Sequence, residues 1–323
     1  MIEFKNVTKT YETEDALKEL TLTINDGELF VLVGPSGSGK TTLLKMINRL
    51  AVPTSGEVSI DGQNVAEMDL ENLRRHTGYV LQTGALFPNM TVEQNAGIQL
   101  EALGWEATKR HQRIVELMKR VDLDPELFLK RLPSELSGGE SQRIGIVRAL
   151  ASNPKLILMD EPFSALDPLS KRQLQELILH LHAELATTFV FVTHDMREAI
   201  RLADRLAVIH NGELQQLGSA KEILSAPAND FVREFFDDDS IRRQFMQTVV
   251  AAGLGQPITL VKTDRLATDV IVSGDVVKMA ASDTIFSWAA LVKQHPQQVV
   301  QVEETLLKPA DLIAYLAQAK EAK

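Results

Sequence analysis

The sequence predicts an α/β fold built around a mostly parallel central sheet, and three observations carry that prediction. The apolar run Leu29-Phe30-Val31-Leu32-Val33 passes through a glycine-rich loop into Leu43-Leu44-Lys45-Met46-Ile47, the order of buried strand, tight turn and helix. A second run, residues 155–159, ends on Asp160-Glu161, and a third, Phe189-Val190-Phe191-Val192-Thr193, ends on His194. Helical segments separate these runs, one within residues 91–121 and one from Pro168 onward. Strands that alternate with helices form parallel sheets covered on both faces. Such sheets bind ligands at the carboxyl ends of their strands, which here carry a glycine loop, two carboxylates and a histidine.

Taken in order, residues 2–7 alternate and read as an edge strand, with Tyr11 following. Thr21-Leu22-Thr23-Ile24 is a second strand, closed by the turn Asn25-Asp26-Gly27. Gly56-Glu57-Val58-Ser59-Ile60 with Asp61-Gly62 gives another strand and turn, and Gly78-Tyr79-Val80-Leu81 a short strand that ends on Gln82. The charged helical spacing over 91–121 predicts an exposed helical insertion, and Leu136-Ser137-Gly138-Gly139-Glu140 opens a helix running to Leu150. Composition shifts at Asp237-Asp238-Asp239, a solvated linker by its charge. The expected division is 1–236, a linker over 237–248, and a small α+β domain over 249–323 with no catalytic motif. In that last part, 266–272 and 299–302 read as strands and 285–293 and 310–320 as helices.

Composition narrows the function classes. The 323 residues suffice for one large domain with a smaller companion. A net charge of −10 argues against a nucleic-acid partner. With no cysteine, disulfides, thiolate catalysis and cysteine metal sites are excluded, which fits a reducing compartment. No apolar run approaches the ~18 residues of a membrane helix, and Met1-Ile2-Glu3-Phe4-Lys5 does not open a signal peptide. The expectation is a soluble chain whose membrane role, if any, comes through a partner.

Gly34-Pro35-Ser36-Gly37-Ser38-Gly39-Lys40-Thr41, followed by Thr42, fits the P-loop pattern G-x-x-x-x-G-K-[ST] between strand and helix. Glycines let backbone N–H groups converge on phosphate oxygens, and the helix N-terminus adds its positive end. Lys40 is placed to reach the β- and γ-phosphates and the Thr41 hydroxyl to sit on Mg²⁺, so a nucleoside triphosphate is the expected ligand. Asp160 is a second candidate for Mg²⁺, and Glu161 a candidate base for an attacking water. Gln82 and His194 carry little weight alone. Their places after apolar strands in a P-loop chain make Gln82 a candidate for both Mg²⁺ and the water, and His194 for the γ-phosphate. His76, His111, His180, His182, His210 and His295 show no metal spacing.

Leu136-Ser137-Gly138-Gly139-Glu140 with Ser141-Gln142-Arg143, between the P-loop and Asp160-Glu161, resembles the signature of ABC transporter ATPases, and the resemblance spans residues 1 to about 236. It implies a RecA-like sheet with an N-terminal antiparallel β subdomain and a helical subdomain at about 83–152. It implies ATP as the nucleotide, with Tyr11 as the aromatic that stacks on adenine, Gln82 in the Q-loop, Ser164-Ala165-Leu166-Asp167 as the D-loop and His194 as the switch histidine. Glu140 stands where glutamine is commoner. Gly138 and Gly139 open a helix whose first N–H groups lack intrahelical partners. In the family such groups close on the γ-phosphate held by a second subunit, giving a head-to-tail homodimer around two ATP molecules.

Lys45-Met46-Ile47-Asn48-Arg49-Leu50, Leu86-Phe87-Pro88-Asn89-Met90-Thr91-Val92, Asp167-Pro168-Leu169, Thr193-His194-Asp195-Met196-Arg197-Glu198-Ala199 and Asn229-Asp230-Phe231-Val232 are similar to the importers of osmoprotectants. That implies uptake of quaternary amines or proline, membrane permease subunits above the ATPase, an extracellular binding protein acting indirectly, and a peripheral place on the cytoplasmic face. An importer for an amino acid or sugar is the alternative. A soluble ABC ATPase of DNA repair or translation is less favoured, because long coiled coils and a second ATPase domain are missing. Residues 275–320, with Lys308-Pro309-Ala310-Asp311-Leu312, weakly resemble one CBS unit, and the segment is too short for two; a dimerisation or packing module is the plainer expectation.

Overall fold

The computed structural model describes residues 1–82, 85–185, 187–236, 256–257, 277–279, 288, 299–302 and 305–308. The chain divides into two compact units, Met1–Phe235 and Phe236–Lys323. From the amino end run β1 (Ile2–Tyr11), β2 (Glu14–Ile24), β3 (Leu29–Val33), α1 (Lys40–Ile47), β4 (Ser55–Ile60), β5 (Gln63–Asn64), α2 (Leu70–Arg75) and β6 (Thr77–Val80). Four helices follow: α3 (Val92–Ala102), α4 (Ala107–Arg120), α5 (Pro125–Phe128) and α6 (Gly138–Leu150). Then come β7 (Leu156–Asp160), α7 (Pro168–Glu184), β8 (Thr188–Thr193), α8 (Met196–Leu202), β9 (Arg205–His210), β10 (Glu213–Gly218), α9 (Ala220–Ser225) and α10 (Asp230–Phe235).

The central sheet has the order β10-β9-β3-β8-β7-β6, and every pairing is parallel except β9 with β10. All five residues of β3 are fully buried, which is why its sequence is an unbroken apolar run. A smaller antiparallel sheet runs β2-β1-β4-β5. β1 therefore lies between two strands and is not the edge strand its sequence suggested. Alternation reports that one face is buried, as Ile2 and Phe4 are, but not how many neighbours flank the backbone. Phe4, Leu22 and Ile24 share one apolar core with Leu43 and Ile47 of α1 and with Phe30 and Leu32 of β3. That core fixes the helix after the glycine loop against both sheets.

The helical segment is anchored by its caps. Thr91 and Gln94 form a reciprocal capping box at the start of α3, and Ser137 and Glu140 form another at the start of α6. Asn95, fully buried, donates from its amide to the carbonyls of Phe87, Met90 and Thr91. At the far side, Asn211 and Gly212 have φ of 50° and 80°, the positive pair a two-residue hairpin needs between β9 and β10. The hairpin tip touches the glycine loop: Gly212 N–H donates to the Ser38 carbonyl at 3.3 Å and its carbonyl accepts from Lys18 N–H at 2.9 Å. His210 at the end of β9 stacks on Phe231 of α10, with ring centroids 3.8 Å apart.

In the second unit, β11 (Gln256–Pro257), β12 (Val277–Met279), β13 (Val300–Val302) and β14 (Thr305–Leu307) form a sheet of order β11-β14-β13-β12, parallel only between β12 and β13. The strand expected over 299–302 corresponds to β13. Trp288 is helical and buried; the rest of the helix expected over 285–293, the strand over 266–272, the helix over 310–320 and the linker over 237–248 lie outside the described residues. Among the described residues no helix is long and apolar enough to cross a membrane.

Candidate functional site

The site is assembled at the carboxyl ends of β3, β7 and β8 together with the chain after β6. Gly34 leaves β3 at φ +155° so close to β9 that an added Cβ would lie 2.0 Å from the Ile209 carbonyl oxygen. Gly39 has φ +97°, and a Cβ there would meet the Ala16 carbonyl oxygen at 2.3 Å. At both positions close backbone approach and conformation together require glycine. Gly39 is also the N-cap of α1 and supplies no side chain to that helix start, so the first N–H groups are left for another acceptor.

Lys40 is only 4% exposed. Its ammonium donates to the Pro35 carbonyl at 2.6 Å and to the Ser38 hydroxyl at 3.2 Å, both neutral acceptors. Burial lowers its pKa, against the charges of Glu161 and Asp160, which raise it. A buried cation held by neutral oxygens beside uncapped helix N–H groups suits an anion such as phosphate. Ser36 and Gly37 form the exposed crest of the loop, and Thr42 lies partly buried behind Thr41.

The Thr41 hydroxyl donates to the Asp160 carboxylate at 2.8 Å, joining α1 to the end of β7. Tyr79 on β6 brings its buried hydroxyl beside Asp160 without closing a hydrogen bond; burial and then the Asp160 charge raise its pKa. Glu161 follows at φ 45°, a left-handed conformation costing a non-glycine residue about 1–3 kcal/mol. Its N–H donates to the Val192 carbonyl at 3.1 Å, and its own carbonyl accepts from Ser164 N–H and hydroxyl. Held to β8 in this way, Glu161 turns its side chain toward two other expected site residues. Its Oε2 lies 3.3 Å from His194 Nδ1 and 3.5 Å from the Gln82 amide nitrogen. Asp160 and Thr41 therefore meet on one side, and Glu161, Gln82 and His194 on the other.

Among the described residues no group of three or more His, Cys, Asp or Glu could hold a metal ion. Oxygen ligands from one carboxylate, a hydroxyl and an amide fit Mg²⁺, which takes few protein ligands and fills its octahedron with phosphate and water. The Thr41–Asp160 pair, with Gln82 at the neighbouring carboxylate, has that character.

The other expected residues make no hydrogen bond to the glycine loop. Tyr11 is half exposed, with the Lys9 ammonium 4.8 Å from its ring centroid. Ser137 N–H donates to the Glu140 carboxylate at 2.7 Å, and Glu140 N–H donates to the Ser137 hydroxyl at 3.3 Å, so the glutamate serves the cap as a glutamine would. Gly138 faces Leu166 and the Ala165 carbonyl, and Gly139 faces Ser170, which sets this helix start against the 164–167 loop. Asp167 caps α7, accepting from the N–H groups of Leu169 and Ser170 at 3.0 and 3.1 Å; hydrogen bonds from Ser170, first of all, lower its pKa.

One group was not singled out from the sequence. Glu198 of α8 is 5% exposed, and its carboxylate accepts from Lys171 of α7 at 2.6 Å and from the Thr193 hydroxyl. Lys171 also donates to Asp195 at 2.9 Å. Burial raises the Glu198 pKa against those hydrogen bonds. For Lys171, burial acts downward and the bonds to Glu198 and Asp195 outweigh it, so its pKa is raised; for Asp195, burial acts upward and the bond from Lys171 leads those that lower it. The available signal was a lone acid on the apolar face of Met196–Leu202, where Ala199, Ile200 and Leu202 are buried.

Comparison with known proteins places these features in context. A family model described as ABC transporter matches residues 17–164. The chain is 50% identical over 242 residues to the glycine betaine/carnitine/choline transport ATP-binding protein of Bacillus subtilis, covering 75% of this chain and 63% of that protein, less than two thirds of the relative's length. It is 45% identical over 294 residues to the carnitine transport ATP-binding protein of Listeria monocytogenes, covering 86% and 74%. Among solved structures it is similar to a dimeric ATP-binding cassette in a post-hydrolysis state with ADP and Pi, with a TM-score of 0.62 and 36% identity over 68% of this chain and 99% of that one.

Proposed function

The chain belongs to the ABC transporter family as an ATP-binding chain, and from that premise we propose that it hydrolyses ATP to drive uptake of quaternary amines through a membrane permease. The observation that carries the chemistry is the convergence of Glu161, Gln82 and His194 beside the Thr41–Asp160 pair. The loop from Gly34 to Thr42 binds the phosphates, and Lys40 exchanges its two neutral acceptors for phosphate oxygen. Thr41, Asp160 and Gln82 would hold Mg²⁺, which when bound would supply positive charge to the phosphate oxygens. Glu161 orients water and accepts its proton, Gln82 holds the water's other side, and His194 keeps Glu161 in place and faces the γ-phosphate.

Tyr11 stacks on the adenine, and Ser137, Gly138, Gly139 and Glu140 with Asp167 meet the nucleotide of a second copy. The pairing is a homodimer, in line with the dimeric cassette to which the chain is similar. The substrate class follows from relatives named for glycine betaine, carnitine and choline transport. Residues 1–236 make the ATPase, with a helical subdomain at about 83–152, and 249–323 a dimerisation or packing domain beyond a linker. The chain acts as a peripheral subunit on the cytoplasmic face, with an extracellular binding protein as an indirect partner.

The test is uptake into vesicles that carry this chain with its co-purifying membrane subunits, with ATP inside and binding protein outside. Accumulation of labelled glycine betaine, carnitine or choline, lost with Glu161→Gln, is the expected result. Hydrolysis with movement of a sugar or amino acid instead would overturn the substrate class and leave the ATPase.

A further inference from the structure

We propose that Lys171, together with Glu198 and Asp195, is a positioning unit that sets the aim of His194 on Glu161 and ties it to the loop ending at Asp167; the inference rests on the ATPase reading above. His194 is flanked by Asp195 of this unit and by Thr193, which hydrogen-bonds to it. Thr193, 2% exposed, donates its hydroxyl to Glu198 and accepts the Asp195 N–H at 3.0 Å. Asp195 in turn accepts from Lys171 at 2.9 Å and from the Arg197 N–H at 2.8 Å. The imidazole between them is 56% exposed and is met by Glu161 at 3.3 Å. Its direction is therefore set by the residues on either side, whose side chains are tied through the Asp195 and Glu198 carboxylates to one ammonium from a different helix.

The same lysine reaches the other loop. Its own N–H donates to the Asp167 carbonyl at 2.9 Å, within the first turn of α7, and Asp167 closes that turn as its cap. A displacement of the 164–167 loop, which lies against Gly138, is thus carried to His194 through one turn of helix and one cluster of charged groups. Stability alone gives a weak reason for the cluster, because well-packed apolar residues often replace a buried ion pair without loss. Breaking one partner and replacing the whole pair are therefore different perturbations.

The experiment compares Lys171→Met, the double variant Lys171→Met/Glu198→Leu, and Lys171→Arg in the full chain. Melting temperature, ATP affinity, turnover and the ¹⁵N imidazole resonances of His194 are measured for each. Lys171→Met strands the Glu198 carboxylate and lowers the melting temperature. The double variant is expected to regain it and to bind ATP within about twofold, while turnover falls about 10²-fold, the scale of an ångström-sized misplacement. Its His194 resonances shift, and Lys171→Arg restores both resonance and turnover. A double variant with wild-type turnover and unshifted His194 resonances would overturn the positioning role while leaving the ATPase reading intact. A wild-type chain that binds ATP and never hydrolyses it, alone or with its membrane subunits, would overturn that reading; the His194 resonances of the double variant then still decide the positioning role.

Discussion

Replacing Thr41 by valine keeps the shape of the side chain and removes the hydroxyl that donates to Asp160 at 2.8 Å. Hydrogen bonds to charged groups contribute about 1.5–3 kcal/mol. Both residues here are only partly buried, so the lower end applies. At roughly 2–4 °C per kcal/mol for a domain of this size, the melting temperature should fall by about 3–6 °C. The second consequence concerns nucleotide. A ligand at about 100 times its dissociation constant stabilises by about 2.7 kcal/mol, and Mg²⁺ should enlarge the effect of a non-hydrolysable ATP analogue in the wild type. Calorimetric melting with analogue, in EDTA and in Mg²⁺, separates the two terms. The valine variant should keep the protection seen in EDTA and lose most of the increment due to Mg²⁺. An undiminished Mg²⁺ increment would refute Thr41 as a metal ligand, whatever the melting temperature does.

Three further outcomes follow from other parts of the site. Glu161→Gln should retain ATP and a closed dimer while turnover falls about 10²–10⁴-fold, the range for loss of a positioned base; near-normal steady-state hydrolysis would remove Glu161 from that role. Gly34→Ala would set a Cβ 2.0 Å from the Ile209 carbonyl. Because that neighbour is backbone, urea unfolding should show a loss near 3 kcal/mol, and a loss under about 1 kcal/mol would contradict the contact. The Asp167 carboxyl has a folded pKa lowered from 3.8, so its contribution is present above the unfolded value and lost as pH falls through the folded one. Asn caps a helix as well as Asp, so Asp167→Asn should flatten the decline of the urea midpoint below about pH 4 and leave the neutral midpoint nearly unchanged.

What the sequence disclosed is what chemistry compresses into a short stretch. Gly34 to Thr41 stands out because the P-loop pattern sets its residue types in consecutive positions, and the strand and helix on either side of it are where the apolar runs place them. Asp160-Glu161 was readable because a buried strand must end before two carboxylates can stand at its tip. The left-handed backbone at Glu161, which turns its side chain to His194 and Gln82, has no local signature. Glu198 and Lys171 lie on different helices, so neither announces the other. Order within a sheet is likewise hidden. The alternation of β1 reads as an edge strand, whereas β1 lies between β2 and β4, because alternation describes faces and not neighbours. The run Leu206-Ala207-Val208-Ile209 before Asn211-Gly212 has the form of a hairpin, yet nothing near it says that its other neighbour is β3.

That pairing bears on how the domain comes into being during synthesis. The glycine loop leaves the ribosome within the first fortieth-odd positions of the chain, but its walls are later products. β3 is flanked by β8 and β9, Gly34 rests against Ile209, and Ser38 is held by Gly212. Until those strands emerge, the loop has neither the sheet that buries its leading strand nor the hairpin that fixes its curvature. Contacts this distant in sequence form late and slowly. The shape of the loop is accordingly complete only in a domain whose translation has passed the β9–β10 turn. A nascent or truncated chain stopping before that turn carries the complete P-loop pattern without the strand and hairpin contacts that shape it.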